Sequence, residues 1–242
     1  MESSNKQKKV MWDWNEFNLN NSNNTNWFMN RVRETFGIYV PDKSKILEVG
    51  CGTGNILTYL AQKKKCNSFG IDISKDSKNV IKMFENQRKV DVNFIYGDGF
   101  RIPFEKNSFD VVYSEGVIEH FEDEKIKIMV LEHVRVCRMG GLIIISVPNK
   151  FNFPLTIAKK IMAERYPHYP ERSFTINELK DLIEKCGTKV IAQDGFAWQQ
   201  GFAFWRIIKK LIYIIRYLPD KSLNPKIRSY IGHECMVIAK KT

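Results

Sequence analysis

Three glycines, Gly50, Gly52 and Gly54, fall within five positions of "ILEVGCGTGN" (46–55), directly behind an apolar run. Each costs about 0.5–1 kcal/mol of backbone entropy wherever a stiffer residue would serve. What they offer is bare backbone: a sharp turn that a ligand can approach closely, leading into a helix whose first N–H groups and dipole favour an anion. The spacing is G-x-G-x-G, and Asn55 stands where a dinucleotide fingerprint needs its third glycine, which disfavours a nicotinamide or flavin cofactor. Two acids follow. Asp72, in "GIDIS", comes after Gly50 at close to the ~20-residue interval of a carboxylate that accepts both hydroxyls of a ribose. Asp98, followed by Gly99 in "YGDGFRIPF", is a second acid with free backbone beside it.

Such residues work only when strand tips bring them together, and the surrounding pattern supplies strands. Short apolar runs at 45–50, 67–72, 91–96, 109–114 and 142–147 alternate with helical patterns near 54–65, 75–89, 122–138 and 175–186. "TKVIAQ" (188–193) and "HECMVIAKK" (233–241) read as two further strands, separated by a long connection at 194–232. Regular alternation predicts parallel strands with right-handed crossovers, an open α/β sheet with helices on both faces. Ligands in such a sheet bind outside the carboxyl ends of the strands, where strand order reverses. Upstream, an Asn-rich stretch (15–26) precedes a helix expected at 27–40.

The chain has 242 residues, 43% hydrophobic and 12% aromatic, enough for one domain with a substantial core. Lys and Arg interrupt every long apolar run before the ~18–20 residues of a membrane span. "MESSNKQKKV" lacks an apolar signal core, so a polar tail and a cytoplasmic protein are expected. Cys51, Cys66, Cys137, Cys186 and Cys235 are odd in number and form no close pair, which argues against a disulfide framework and a zinc site. The net charge of +11 is uneven: residues 1–150 carry +3 and residues 151–242 carry +8. A Lys-rich composition explains that excess as readily as a basic surface facing an anionic substrate, a lipid headgroup or a nucleic acid.

"ILEVGCGTGN", "GIDIS", "GDGFRIPFEKNSFDVVYSEGVIEHF" and "RMGGLIIISVPN" together resemble the successive motifs of the class I S-adenosylmethionine-dependent methyltransferases. The likeness is to the branch of small-molecule, quinone and lipid methylases. It runs from about Lys45 to Val147 and resumes at 172–187. The resemblance implies a Rossmann-like seven-stranded, mostly parallel sheet with the last strand antiparallel. It divides the chain into an N-terminal tail and helix (1–44) and a methyltransferase domain (45–242) with a lid at 151–174. It implies that Gly50, Gly52 and Gly54 line the methionine moiety, Asp72 holds the ribose, and Asp98 and Gly99 contact the adenine. By the same likeness Glu48 orients the loop or the cofactor's amino group, while Ser114 and Glu115 pass close to the methionine end. Gly187-Thr188 departs from the Gly-Phe frequent in the family.

Methyl transfer asks mainly for alignment, worth roughly 7–11 kcal/mol, and for a base where the nucleophile must lose a proton. His120, in "EGVIEHF", has the chemistry of such a base or of a hydrogen bond that fastens its loop, and Glu119 beside it has the same two readings. Tyr166, His168 and Tyr169, in the expected lid, are candidates to touch substrate. Within 202–218, Arg206, Lys209, Lys210, Tyr213 and Arg216 recur at helical spacing beside an apolar remainder. A basic amphipathic helix of this kind fits a membrane interface, or equally a lid or dimer contact. No aromatic–basic interleaving of the kind that stacks bases is present, so a small-molecule acceptor is favoured over nucleic acid. An RNA or protein acceptor, and a non-catalytic cofactor-binding protein, are the other readings.

Overall fold

The computed structural model describes residues 27–152, 172–197 and 223–242. In chain order the elements are α1 (Trp27–Tyr39), β1 (Lys45–Val49), α2 (Asn55–Lys64), β2 (Asn67–Asp72), α3 (Ser77–Arg88) and β3 (Asn93–Tyr96). They continue with β4 (Phe109–Glu115), a 3-10 turn (Ile118–His120), α4 (Asp123–Val136) and β5 (Cys137–Pro148). The last are α5 (Ile176–Glu184), β6 (Thr188–Phe196), α6 (Pro225–Ile231) and β7 (Glu234–Lys241). The seven strands form one sheet in the order β3-β2-β1-β4-β5-β7-β6. Strands β1 to β5 pair in parallel, whereas β7 runs antiparallel to both β5 and β6. The expected α/β sheet with an antiparallel last strand is therefore present. From β1 the chain first runs outward to β3 and then crosses back to β4, so strand order reverses between β1 and β4.

Near-continuous burial on β1, β4 and the second half of β5, with alternate residues on opposite sides, gives the sheet two apolar faces. Ile46, Val111, Tyr113, Ile144 and Met236 pack against Val32 and Phe36 of α1 and Leu57 and Leu60 of α2. Leu47, Val112, Ile143 and Ile145 meet Ile126, Met129 and Val130 of α4 and Leu179 and Ile183 of α5. No helix among the described residues is long and apolar enough to cross a membrane.

Two boundaries differ from the sequence reading. Strand β5 begins at Cys137, not 142, because the chain leaves α4 directly into pairing with Phe109. The Gly140-Gly141 doublet, which reads as a break, sits inside the strand beside a register shift between Phe109 and Val111, as glycines at bulges do. The connection expected at 194–232 is also shorter. Strand β6 continues to Phe196, and α6 packs back on it. Arg228 of α6 forms a buried pair with Asp194 of β6, at 2.6 and 2.8 Å, and Tyr39 of α1 donates its hydroxyl to the same carboxylate at 2.8 Å. The Asn-rich stretch, most of the expected lid and the 202–218 segment lie outside the described residues.

The turn from β1 into α2 is the sharpest feature of the sheet's carboxyl edge. Gly50, Gly52 and Gly54 all have positive φ, at 69°, 46° and 66°. A Cβ on Gly50 would come 2.6 Å from Val117 Cγ2, and one on Gly54 would come 2.5 Å from Ile81 Cγ1. Both backbone handedness and space therefore exclude a side chain at these two positions.

His133 of α4 is fully buried, with Nδ1 2.8 Å from the Met129 carbonyl and Nε2 without a partner among the described residues. Burial lowers its pKa to about 4. The folded chain thus prefers the neutral ring, and the unfolded chain binds the extra proton below about pH 6.5. Stability should be fully present above that pH and fall by about 3 kcal/mol as pH drops towards 4. Urea unfolding across this range should show the fall in the wild type, and His133→Phe should remove that part of the slope. Gly54→Ala should cost about 2–4 kcal/mol, combining left-handed strain with overpacking. Gly187→Ala, at φ 83° with open space around it, should cost only the strain, about 1–2 kcal/mol, when the two are compared by the same unfolding assay.

Candidate active site

The carboxyl edge gathers most of the residues singled out in the sequence. At the β1 tip, Glu48 is buried, and its Oε2 accepts from the Leu57 N–H and from the Tyr113 hydroxyl, each at 3.1 Å. Leu57 lies in the first turn of α2, whose N-cap is Gly54 with no side-chain cap. Glu48 therefore supplies from inside the sheet the acceptor that a capping side chain would otherwise provide. Burial pushes its carboxyl well above the usual range, against the opposing effect of the Tyr113 bond.

Asp72, the last residue of β2, clasps the same loop from the other side. Its Oδ2 accepts from the Gly52 N–H at 2.7 Å and its Oδ1 from the Ser74 N–H at 2.8 Å. The Ile71 carbonyl takes the N–H groups of Gly50 and Cys51, at 2.8 and 3.1 Å. Asp98 stands exposed beyond β3, where its Oδ1 accepts from the Phe100 N–H at 2.9 Å. Gly99 is required for a packing reason, since a Cβ there would come 2.9 Å from Val49 Cγ1.

Strand β4 ends in Ser114 and Glu115. Ser114 is 1% exposed, and its Oγ has no hydrogen-bond partner among the described residues. By register it lies beside the end of β1, because Glu48 pairs with Tyr113 one step earlier. Glu119 is buried on the following turn, with Oε1 4.0 Å from His120 Nε2 and 3.6 Å from where a Gly116 Cβ would stand. The backbone carbonyl of Glu119 accepts from the Arg172 N–H at 3.0 Å. Tyr166, His168 and Tyr169 lie outside the described residues.

Three residues absent from the sequence reading complete this edge: Tyr113, Ser146 and Glu234. Ser146 of β5 pairs with Glu115 on one side and Met236 on the other, and its Oγ donates to Glu234 Oε2 at 2.6 Å. Glu115 and Glu234 act on each other electrostatically across Ser146. Burial raises both carboxyls, and the charge of Glu115 raises Glu234 further. The one available signal was an acid at the head of an otherwise apolar strand, "ECMVIA". Among the described residues, no group of His, Cys, Asp and Glu is arranged to hold a metal ion. The five cysteines are buried free thiols.

A methyltransferase-domain family model matches residues 47–145. Among characterised proteins, the chain is 26% identical over 209 residues to 24-methylenesterol C-methyltransferase 2 of Arabidopsis thaliana, covering 78% of this chain and 55% of that one. It is 32% identical over 109 residues to ajmaline N-methyltransferase of Rauvolfia serpentina, covering 43% of this chain and 37% of the other. The chain thus spans about half the length of these relatives or less. Among solved structures, magnesium protoporphyrin IX methyltransferase of Synechocystis, with S-adenosylhomocysteine bound, superposes with a TM-score of 0.60 at 14% identity, covering 89% of this chain and 82% of that one. Matched segment, strand order and glycine turn agree on a methyltransferase domain at residues 47–145 with the fold of the class I S-adenosylmethionine-dependent methyltransferases.

Proposed function

We propose that the chain transfers a methyl group from S-adenosylmethionine to a small, apolar acceptor of lipid or isoprenoid character. The observation that carries the cofactor half is the glycine turn clasped by Asp72, with the buried Ser114 hydroxyl left to be satisfied beside it. These features fit a ligand with a ribose and an amino-acid end. S-adenosylmethionine supplies a methyl group already activated on a sulfonium. Asp72 would hold the ribose, Asp98 and Gly99 the adenine, and the turn at Gly50, Gly52 and Gly54 the methionine end. Glu48 would keep the turn in shape by gripping α2. His120 and Glu119 would take a proton from the acceptor, and Tyr166, His168 and Tyr169 would contact it. The acceptor half is supported by the sterol methyltransferase, whose match covers most of this chain, and by the basic, apolar sequence at 202–218.

Asp72→Ala should weaken S-adenosylhomocysteine binding about 10–100-fold, the worth of charge-assisted hydrogen bonds of about 1.5–3 kcal/mol, as read by calorimetry. For the acceptor, tritiated methyl from S-adenosylmethionine should enter the organic-soluble fraction of an extract from the source cells. Label confined to RNA or protein would overturn the acceptor reading and leave the cofactor reading intact. Binding without label in any fraction would favour a non-catalytic protein.

A further inference from the structure

We propose that Arg33 and Arg88 form a site for a phosphate monoester on the outer face of the helical layer, separate from the cleft at the strand tips. The inference stands independently of the methyl-transfer reading.

Three helices build the site. Asn55 opens α2 and lies round the helix from Leu57 and Leu60, which pack towards the sheet. Arg33 reaches Asn55 from α1, and Arg88 reaches it from the end of α3. Arg33 Nη1 and Arg88 Nη2 both donate to Asn55 Oδ1, at 2.7 and 2.6 Å. Arg88 Nη1 also bonds the Asn55 carbonyl at 2.8 Å and the Thr58 hydroxyl, and Arg33 Nη2 bonds Asn30. Each guanidinium lies against an aromatic ring, Arg33 at 5.7 Å from the centroid of Tyr59 and Arg88 at 4.7 Å from that of Phe84. Two half-buried cations are thus held around one neutral oxygen.

What the pair lacks is an acid. Helix α2 carries none, α1 carries only Glu34 and α3 only Glu85. Glu34 pairs with Arg31, while Glu85 pairs with Lys82 and accepts from the Val92 N–H. Elsewhere a covered arginine has its carboxylate: Arg135 holds Glu132, and Arg228 holds Asp194. Neither Arg33 nor Arg88 has an ion pair among the described residues. Burial lowers the pKa of both, Arg88 to about 10, and the charge of Arg33 lowers Arg88 further. Tyr59 and Glu34 offset the shift at Arg33 only in part. Arg33 Nε is buried with no hydrogen-bond partner among the described residues, so this donor has lost water and gained no acceptor.

Two guanidiniums without a counter-charge fit an oxyanion. A carboxylate or a phosphodiester would cancel one charge. A phosphate monoester, at about −1.5 to −2 near pH 7, cancels both. Its oxygens would accept from Arg33 Nε and from the Arg88 N–H groups that Asn55 and Thr58 leave unused.

Calorimetric titration of inorganic phosphate into the full chain at constant ionic strength should give a dissociation constant of about 1 mM or tighter, with acetate about tenfold or more weaker. Arg33→Gln and Arg88→Gln should each weaken phosphate about tenfold or more, while S-adenosylhomocysteine affinity stays within about twofold. Arg33→Gln alone carries the test if Arg88→Gln, which also gives up the bond to the Asn55 carbonyl, does not fold. Saturating S-adenosylhomocysteine should leave phosphate affinity unchanged. Flotation with phosphatidylcholine vesicles, with and without phosphatidic acid, then identifies the source. Recruitment by phosphatidic acid that inorganic phosphate reverses means a lipid headgroup, and phosphate binding without recruitment means a soluble phosphate. Phosphate that fails to bind, binds no tighter than acetate, or binds the variants as well as the wild type would overturn the proposal. So would displacement of phosphate by S-adenosylhomocysteine, or loss of its affinity in the variants, which would assign the arginines to the cofactor's own carboxylate.

Discussion

The hydrogen bond from the Gly52 N–H to the Asp72 carboxylate, 2.7 Å long, is the constraint around which this fold is arranged. It requires the tip of β2 to stand beside the turn that leaves β1, which the parallel register of the two strands provides. It also requires the turn to keep three left-handed residues in five positions, which only glycine does cheaply. Once the turn is fixed, its surroundings follow. Ile81 of α3 closes over Gly54, Val117 after β4 closes over Gly50, and the end of β1 closes over Gly99. Side chains from two separate crossovers and from β1 itself thus fill the space that Cβ atoms would need, so sequence, turn and packing all specify the same backbone.

A second consequence is the row of acids buried along the carboxyl edge. Glu48, Asp72, Glu119 and Glu234 are all nearly inaccessible to water, an arrangement that costs stability unless each has donors. Backbone N–H groups serve Asp72, an N–H and a phenol serve Glu48, and a serine hydroxyl serves Glu234. The direction of β7 explains how Glu234 reaches this row. Parallel strands bring only their last residues to the cleft, whereas an antiparallel strand brings its first. Glu234 opens β7 and therefore stands opposite Pro148 at the end of β5. The reversed final strand is a means of delivering one more side chain to the site.

The residues that were legible in the sequence are those whose signal is local. The glycine spacing, Asp72 after "GI", and Asp98 before Gly99 each announce a strand tip within a few positions, because turn chemistry is short-range. Alternation of strands and helices then gave the sheet class. Tyr113, Ser146 and Glu234 were not legible, since their role depends on pairing across β1, β4, β5 and β7, where a one-residue slip would turn each side chain to the other face. The early start of β5 was hidden for a related reason: two glycines that look like a break are tolerated inside a bulged pair. The departure at Gly187-Thr188 is absorbed locally. Gly187 keeps a left-handed φ of 83° beyond the end of α5, and Thr188 is buried with its hydroxyl donated to the Ile183 carbonyl at 2.8 Å.

The same edge also anchors the ends of the described segments. Arg172 bonds the Glu119 carbonyl through its backbone N–H at 3.0 Å. At α6 the Asn149 side chain donates to the carbonyls of Tyr230 and Gly232 at 2.9 and 3.1 Å. His233, next in sequence to Glu234, donates its N–H to the Phe196 carbonyl at 2.9 Å and meets Phe28 of α1 edge-on at 5.1 Å. Both ends are therefore pinned by backbone bonds, one at Glu119 itself and one at His233, next to Glu234. The bonds that fix these ends share no residue with those by which Asp72 holds the turn.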